Sequence, residues 1–169
     1  MSIFPTTMLL ATDGSEEAKL AARTAVELAD RTNSELHVVH VGRPEPIGSY
    51  EIHYEEVTEA LRRQAQGTLD EQVREIEAAG GTVAEAHLEM AGRREEAIVR
   101  LSEELGAGLI VMGSRGLGGI RRALMGSVSD SVVRHAHCPV LVVRPEKGTG
   151  DRPRSWRRRP LADRPQSPG

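Results

Sequence analysis

Residues 113–127 read Gly-Ser-Arg-Gly-Leu-Gly-Gly-Ile-Arg-Arg-Ala-Leu-Met-Gly-Ser, and these types at this spacing suit one task, holding a polyphosphate. Gly113, Gly116 and Gly126 permit close backbone approach and positive φ. Gly126-Ser127 stands where a helical pattern begins. A helix starting there offers the N–H groups of Ser127, Val128 and Ser129 at its positive dipole end. One exposed dipole–anion contact is worth about 0.3–1 kcal/mol, so several must act together. Ser114 lies within the same loop, and Arg115, Arg121 and Arg122 add positive charge. Two familiar phosphate loops do not fit. A Walker loop started at Gly113 needs lysine where Gly119 stands, and a dinucleotide fingerprint started at Gly116 needs glycine where Arg121 stands. Glycine richness alone is weak evidence, so a loop that merely turns the chain is the competing reading.

Other chemistry-bearing residues have plainer readings beside them. Asp13 precedes Gly14 and Ser15, a common turn sequence, and could simply cap that turn. His40 within an apolar run reads as a core histidine with a satisfied ring. His135, His137 and Cys138 supply three metal-ligand types in four residues, but no fourth is evident, and histidines near a helix C-terminus suit its dipole. Nothing marks Cys138 as a lowered-pKa thiol. Phosphoanhydride hydrolysis requires a positioned water and usually a base with cations. No residue set announces that, so binding is expected, with slow phosphoanhydride hydrolysis or autophosphorylation at Ser127 or Ser129 as the alternative.

The elements that must position these residues alternate. Met8–Ala11 is a short buried strand, and Ser15 caps a helix with Glu16 and Glu17 in its first turn and alanines at helical spacing after it. Leu36–Val41 is apolar on both faces, as central parallel strands are. The segment 42–48 is irregular, and a long helix follows over about 51–79, with its seam at Val57, Leu61, Ala65, Leu69, Val73 and Ile76, ended by Gly80-Gly81. Thr82–Met90 reads as an outer strand, Glu95–Leu105 as a helix, Leu109–Met112 as a buried strand, Ser127–His135 as a helix and Val140–Val143 as the last strand. The pattern predicts an α/β fold: one doubly wound domain with a five-stranded parallel sheet and four helices. If the first and fourth strands adjoin where strand order reverses, the loops after both meet at the carboxyl edge, where such sheets bind ligands.

The spacing Gly113-x2-Gly116-x9-Gly126-Ser127 resembles the ATP-binding signature of the universal stress protein family. The likeness runs on through Val128-Ser129-Asp130-Ser131-Val132-Val133 and Cys138-Pro139-Val140-Leu141-Val142-Val143, and includes Leu10-Ala11-Thr12-Asp13-Gly14-Ser15 and His40-Val41. It covers about residues 4–144. The resemblance implies an adenine-nucleotide-hydrolase-like fold. It implies that Asp13 accepts from ribose hydroxyls, and that the Val41 backbone pairs with adenine in a pocket lined by Ala11 and Thr12. It also implies that Gly113, Gly116, Gly126, Ser127, Val128 and Ser129 hold the phosphates, with Ser114 and Arg115 beside them. ATP with Mg²⁺ is the implied ligand, and a homodimer the implied assembly.

Composition bounds the rest. The 169 residues suit one domain, 1–144, with a tail, 145–169. Aromatics make up only 2%, which argues against base-stacking platforms for single-stranded nucleic acid. No run approaches a membrane span, the N-terminus lacks a signal-peptide pattern, and one cysteine precludes an internal disulfide, so the expected compartment is the cytoplasm. From Pro145 onward seven bases stand against three acids, together with five of the nine prolines, so this segment is expected to be a disordered basic arm on an acidic body. That arm motivates a third alternative, a nucleotide-independent interaction module. Val140–Val143 is an apolar run in the terminal strand. At a sheet edge it would need covering, and pairing with a second copy would do so.

Overall fold

The computed structural model describes residues 3–44, 54–116 and 125–145. Five strands and four helices alternate along the chain: β1 (Thr7–Thr12), α1 (Glu16–Thr32), β2 (Glu35–Gly42), α2 (Tyr54–Ala78), β3 (Glu85–Met90), α3 (Arg94–Glu104), β4 (Leu109–Gly113), α4 (Ser127–His135) and β5 (Val140–Val143). The strands form one sheet of order β3-β2-β1-β4-β5, and every neighbouring pair is parallel. The first and fourth strands therefore adjoin, with Met8 opposite Leu109 and Ala11 opposite Met112. The expected 145–169 arm lies outside the described residues beyond Pro145, as do Arg121, Arg122 and most of the segment 42–48.

Side-chain alternation divides the core between the two sheet faces. Met8, Leu10, Leu36, Val38 and Val111 meet the alanine face of α1 and Leu69 and Ile76 of α2. Leu9, Ala11, Val39, Val41, Ile110 and Met112 meet Ala97, Ile98 and Leu101 of α3 and Val132 of α4. Each face thus carries two helices. Ser15 caps α1 as its sequence predicts, its hydroxyl accepting from the Ala18 N–H at 3.2 Å.

Two local expectations shift. The outer strand starts at Glu85 rather than Thr82, because Gly80 leaves α2 at φ +87° and Gly81 packs against Val26 and Ile76 before the ladder begins. The α2 seam also contains Gln72, which is buried: the Thr12 hydroxyl donates to its Oε1 at 2.8 Å. A polar side chain thereby fastens α2 to the carboxyl end of the central strand.

Candidate functional site

A cavity of about 480 Å³ opens at the carboxyl edge of the sheet, beside the β1–β4 junction where strand order reverses. Ala11, Thr12 and Asp13 reach it from β1 and its turn, and Val41 from the end of β2. Gly113, Arg115 and Gly116 reach it from the β4 loop. Gly126, Ser127, Val128 and Ser129 complete it from the start of α4. Of the described residues that the resemblance assigns to the nucleotide, only Ser114 is missing from the wall. It is 1% exposed and sits behind it.

The turn after β1 needs Gly14 at φ +77°. Asp13 Oδ1 accepts the Ser15 N–H at 3.0 Å, so the turn-capping role is real and uses one carboxylate oxygen. Asp13 Oδ2 lies against Gly116, where a Cβ would overlap it. Thr12 contributes only its main chain to the cavity side, because its hydroxyl is directed to Gln72 on the opposite face and accepts from the Gly14 N–H. Its carbonyl meets His40 Nδ1 at 2.8 Å, which gives that ring the satisfied, half-buried place expected for it.

The three glycines of the motif serve different ends. At Gly113 a Cβ would stand 2.9 Å from the Glu17 carbonyl carbon and 3.1 Å from the Ala18 nitrogen, so glycine there admits the first turn of α1. Gly116 admits Asp13. Gly126 is extended, at φ −76° and ψ 161°, and a Cβ there would meet nothing nearer than 3.5 Å. Among the described residues, neither conformation nor packing requires glycine at 126. It lines the cavity, and as the N-cap of α4 it places no side chain of its own over the first-turn N–H groups of Ser127, Val128 and Ser129.

The loop is held from below. The Ser129 hydroxyl, buried, lies 2.8 Å from the Ser114 carbonyl and 3.0 Å from that of Gly126, and Gly126 N–H donates to the Ser114 carbonyl at 2.7 Å. Ser114 N–H donates to the Val143 carbonyl of β5. Glu17, from the first turn of α1, accepts the Ser114 hydroxyl and the Arg115 N–H through Oε2, and pairs with Arg115 Nε through Oε1 at 2.8 Å. A carboxylate thus occupies donors at the edge of a site whose other donors suit an anion. Sequence reading missed Glu17, and also Arg43, Gly92 and Arg94, which line the cavity from the ends of β2 and β3. Their only signal is position, immediately after a parallel strand, where side chains gather at the carboxyl edge.

The other reactive side chains are separate from the cavity, and His135, His137 and Cys138 do not converge on one point. His135 Nδ1 donates to the Ser131 carbonyl at 2.8 Å, and His137 Nε2 lies 3.2 Å from Glu103, so the two rings point to different partners. Burial pushes the Cys138 thiol above its usual value, which disfavours the reactive thiolate. His37 and His87 meet across β2 and β3, Nδ1 to Nε2 at 3.0 Å, with ring planes 14° apart. Burial, then the neighbouring His87, lowers the His37 pKa, while Glu85 and Glu35 oppose the shift.

Comparison with known proteins follows this geometry. The pattern of the universal stress protein family matches residues 6–144. A protein of Staphylococcus haemolyticus bearing that family's name is 37% identical over 140 residues, 83% of this chain and 85% of its own length. A universal stress protein of Lactobacillus plantarum superposes with a TM-score of 0.72 at 25% identity, over 83% of this chain and 99% of that one. One from Archaeoglobus fulgidus, solved in complex with dAMP, superposes with a TM-score of 0.57 at 27% identity, over 84% of this chain and 99% of that one. The five-stranded parallel sheet, its four helices and the match along most of the sequence place this chain in the universal stress protein family.

Proposed function

We propose that this chain is an ATP-binding universal stress protein that acts as a cytoplasmic sensor or regulator. One observation carries the reading: an extended glycine that no described residue crowds, Gly126, caps the N-terminus of α4 where it faces the cavity. Bare first-turn N–H groups with a positive dipole end favour a phosphate. The cavity volume falls within the roughly 300–1,000 Å³ of small-molecule and cofactor sites. The Archaeoglobus relative solved with dAMP supports an adenine nucleotide as the class of ligand.

In this reading Gly116, Gly126 and the N–H groups of Ser127, Val128 and Ser129 cradle phosphates, with Gly113 and Ser114 supporting the loop. Arg115 stands beside the phosphates. Asp13 is the carboxylate placed to accept from a ribose hydroxyl. The Val41 main chain meets the adenine edge, with Ala11 and the Thr12 backbone completing that pocket. Mg²⁺ would accompany the triphosphate and take oxygens from the phosphates and one or two carboxylates, for which the cavity wall offers Asp13 and Glu95. The Ser129 hydroxyl is engaged with main-chain carbonyls, so its part is through N–H.

The assembly in this reading is a homodimer through Val140–Val143. β5 is an edge strand, and its residues are only half-buried in the single chain. Light scattering should give twice the chain mass, and a monomer at micromolar concentration would refute the dimer.

The nucleotide reading is tested on purified protein without added ligand. Extraction and mass spectrometry should find an adenine nucleotide approaching one per chain, or else titration should show saturable ATP binding to the emptied protein. Failure of both refutes it. Phosphate release, or label retained on protein, above the uncatalysed background would move the assignment to the ATPase or autophosphorylation alternative.

A further inference from the structure

His37, Glu85 and His87 bring three ligating atoms within 4.8 Å of one another, and they do so away from the nucleotide cavity. The strand register makes this a built arrangement. His37 on β2 is directly opposite Glu85 on β3, and His87 is two residues further along β3, opposite Val39. Residues two apart on a strand share a face, so all three side chains stand on the face covered by α3 and α4. His37 is the deepest at 9% exposed. The His87 side chain is 16% exposed and Glu85 64%. The cluster is thus a pair of shielded imidazoles with a carboxylate at its mouth. His37 lies four positions before Val41 on the same strand, about 13 Å from that end of the nucleotide cavity.

We propose that His37, His87 and Glu85 form a site for a divalent transition-metal ion of the zinc class, clipping edge strand β3 to β2. The ligand chemistry is two imidazole nitrogens and one carboxylate oxygen, which suits Zn²⁺ with a water as fourth ligand. Zn–N distances of about 2.0–2.1 Å put neighbouring ligands of a tetrahedral site roughly 3.3 Å apart. The His37 Nδ1 to His87 Nε2 separation of 3.0 Å needs to open by only a few tenths of an ångström. Glu85 Oε2, 3.9 Å from His87 Nε2, closes the remaining gap by rotating an exposed side chain. Without metal, one ring must donate an N–H to the other, since two lone pairs cannot hold this contact. On loading, that ring moves its proton to its other nitrogen, so both rings bind as neutral imidazoles.

Full-length, untagged, chelator-treated protein without nucleotide is titrated with Zn²⁺ by calorimetry and with Co²⁺ by visible absorption. One saturable Zn²⁺ per chain and tetrahedral-type Co²⁺ bands are expected, with a higher Tm in the loaded protein. Disturbing an outer-shell partner typically costs about 10–100-fold in metal affinity, so losing a ligand in His87→Gln should cost at least about 100-fold, and Glu85→Gln about 10-fold. His135→Gln with His137→Gln should leave affinity unchanged. No saturable uptake by the natural protein overturns the proposal, as does uptake that survives His87→Gln or is abolished by the His135/His137 pair of substitutions. If His87→Gln fails to fold, Glu85→Gln decides alone, and unchanged affinity there overturns the proposal.

Discussion

Replacing Glu17 with glutamine should move stability and nucleotide affinity in opposite directions. Glu17 Oε2 accepts from the Ser114 hydroxyl at 2.5 Å and the Arg115 N–H at 2.7 Å, while Oε1 meets Arg115 Nε at 2.8 Å. The two side chains are only 16% and 28% exposed, so solvent screens them less than a surface pair. Hydrogen bonds to charged groups contribute about 1.5–3 kcal/mol, against about 1 kcal/mol for neutral ones. Glutamine keeps one oxygen for Ser114 and the Arg115 N–H, but it loses the charge and turns an amide donor toward the guanidinium. The expected cost is about 2 kcal/mol in nucleotide-free protein, or roughly 5–8 °C in Tm. The substitution also removes an anion from beside the phosphate cradle and releases Arg115. A unit charge at about 8 Å and an effective dielectric of about 20 is worth ~2 kcal/mol before salt screening. Allowing for screening, ATP should bind about tenfold tighter. Urea unfolding without nucleotide and calorimetric ATP titration read the two effects separately. Unchanged or weaker ATP binding by the folded variant would refute the idea that Glu17 competes with phosphate for the Arg115 donors.

Three further outcomes follow from named contacts. Gly126→Val should keep its fold, with Tm within about 2–4 °C, because the site is extended and a Cβ there meets nothing nearer than 3.5 Å, yet it should lose ATP binding. Wild-type affinity in that variant would refute the cradle. Gly113→Ala should cost about 1–3 kcal/mol in urea unfolding, because the added methyl meets the Glu17 and Ala18 backbone at 2.9–3.1 Å, and a neutral result would show that α1 shifts easily. In chelator-treated protein, stability should fall as pH drops below 6.5. Burial and His87 hold the His37 pKa under that value, against the pull of Glu85 and Glu35, so the unfolded chain takes up a proton that the folded chain resists. The contribution is complete above 6.5 and is lost below it. His37→Gln should flatten the slope of urea midpoint against pH, and an unaltered slope would assign the acid sensitivity elsewhere.

The parts of this molecule legible in its sequence are those with a local period or a local turn rule. Leu36–Val41 reads as a central strand because both its faces are apolar, and β2 does lie inside the sheet. Ser15 reads as a cap because its acceptor sits three residues from its donor. The strand reversal between β1 and β4 follows from the order of elements and from the loops after two buried strands. Most residues of the cavity wall that the motif names are local to those loops.

What escaped reading depends on partners far apart in the chain. Ser114 and Glu17 are separated by 97 positions, and His37 and His87 by 50. Nothing in the spacing around either residue encodes the other. Gln72 has the same character: a polar residue in a helical seam reads as solvated until Thr12 is known to lie beneath it. The glycines show why a motif and a mechanism differ. Gly113 packs against the α1 backbone and Gly116 against the Asp13 carboxylate, so both already have a neighbour within the protein's own packing. Gly126 is the glycine of the motif that internal packing leaves unexplained, and it faces the cavity. The functional content of the motif therefore rests on Gly126 more than on its glycine count, and a substitution there separates ligand binding from folding where the other two cannot.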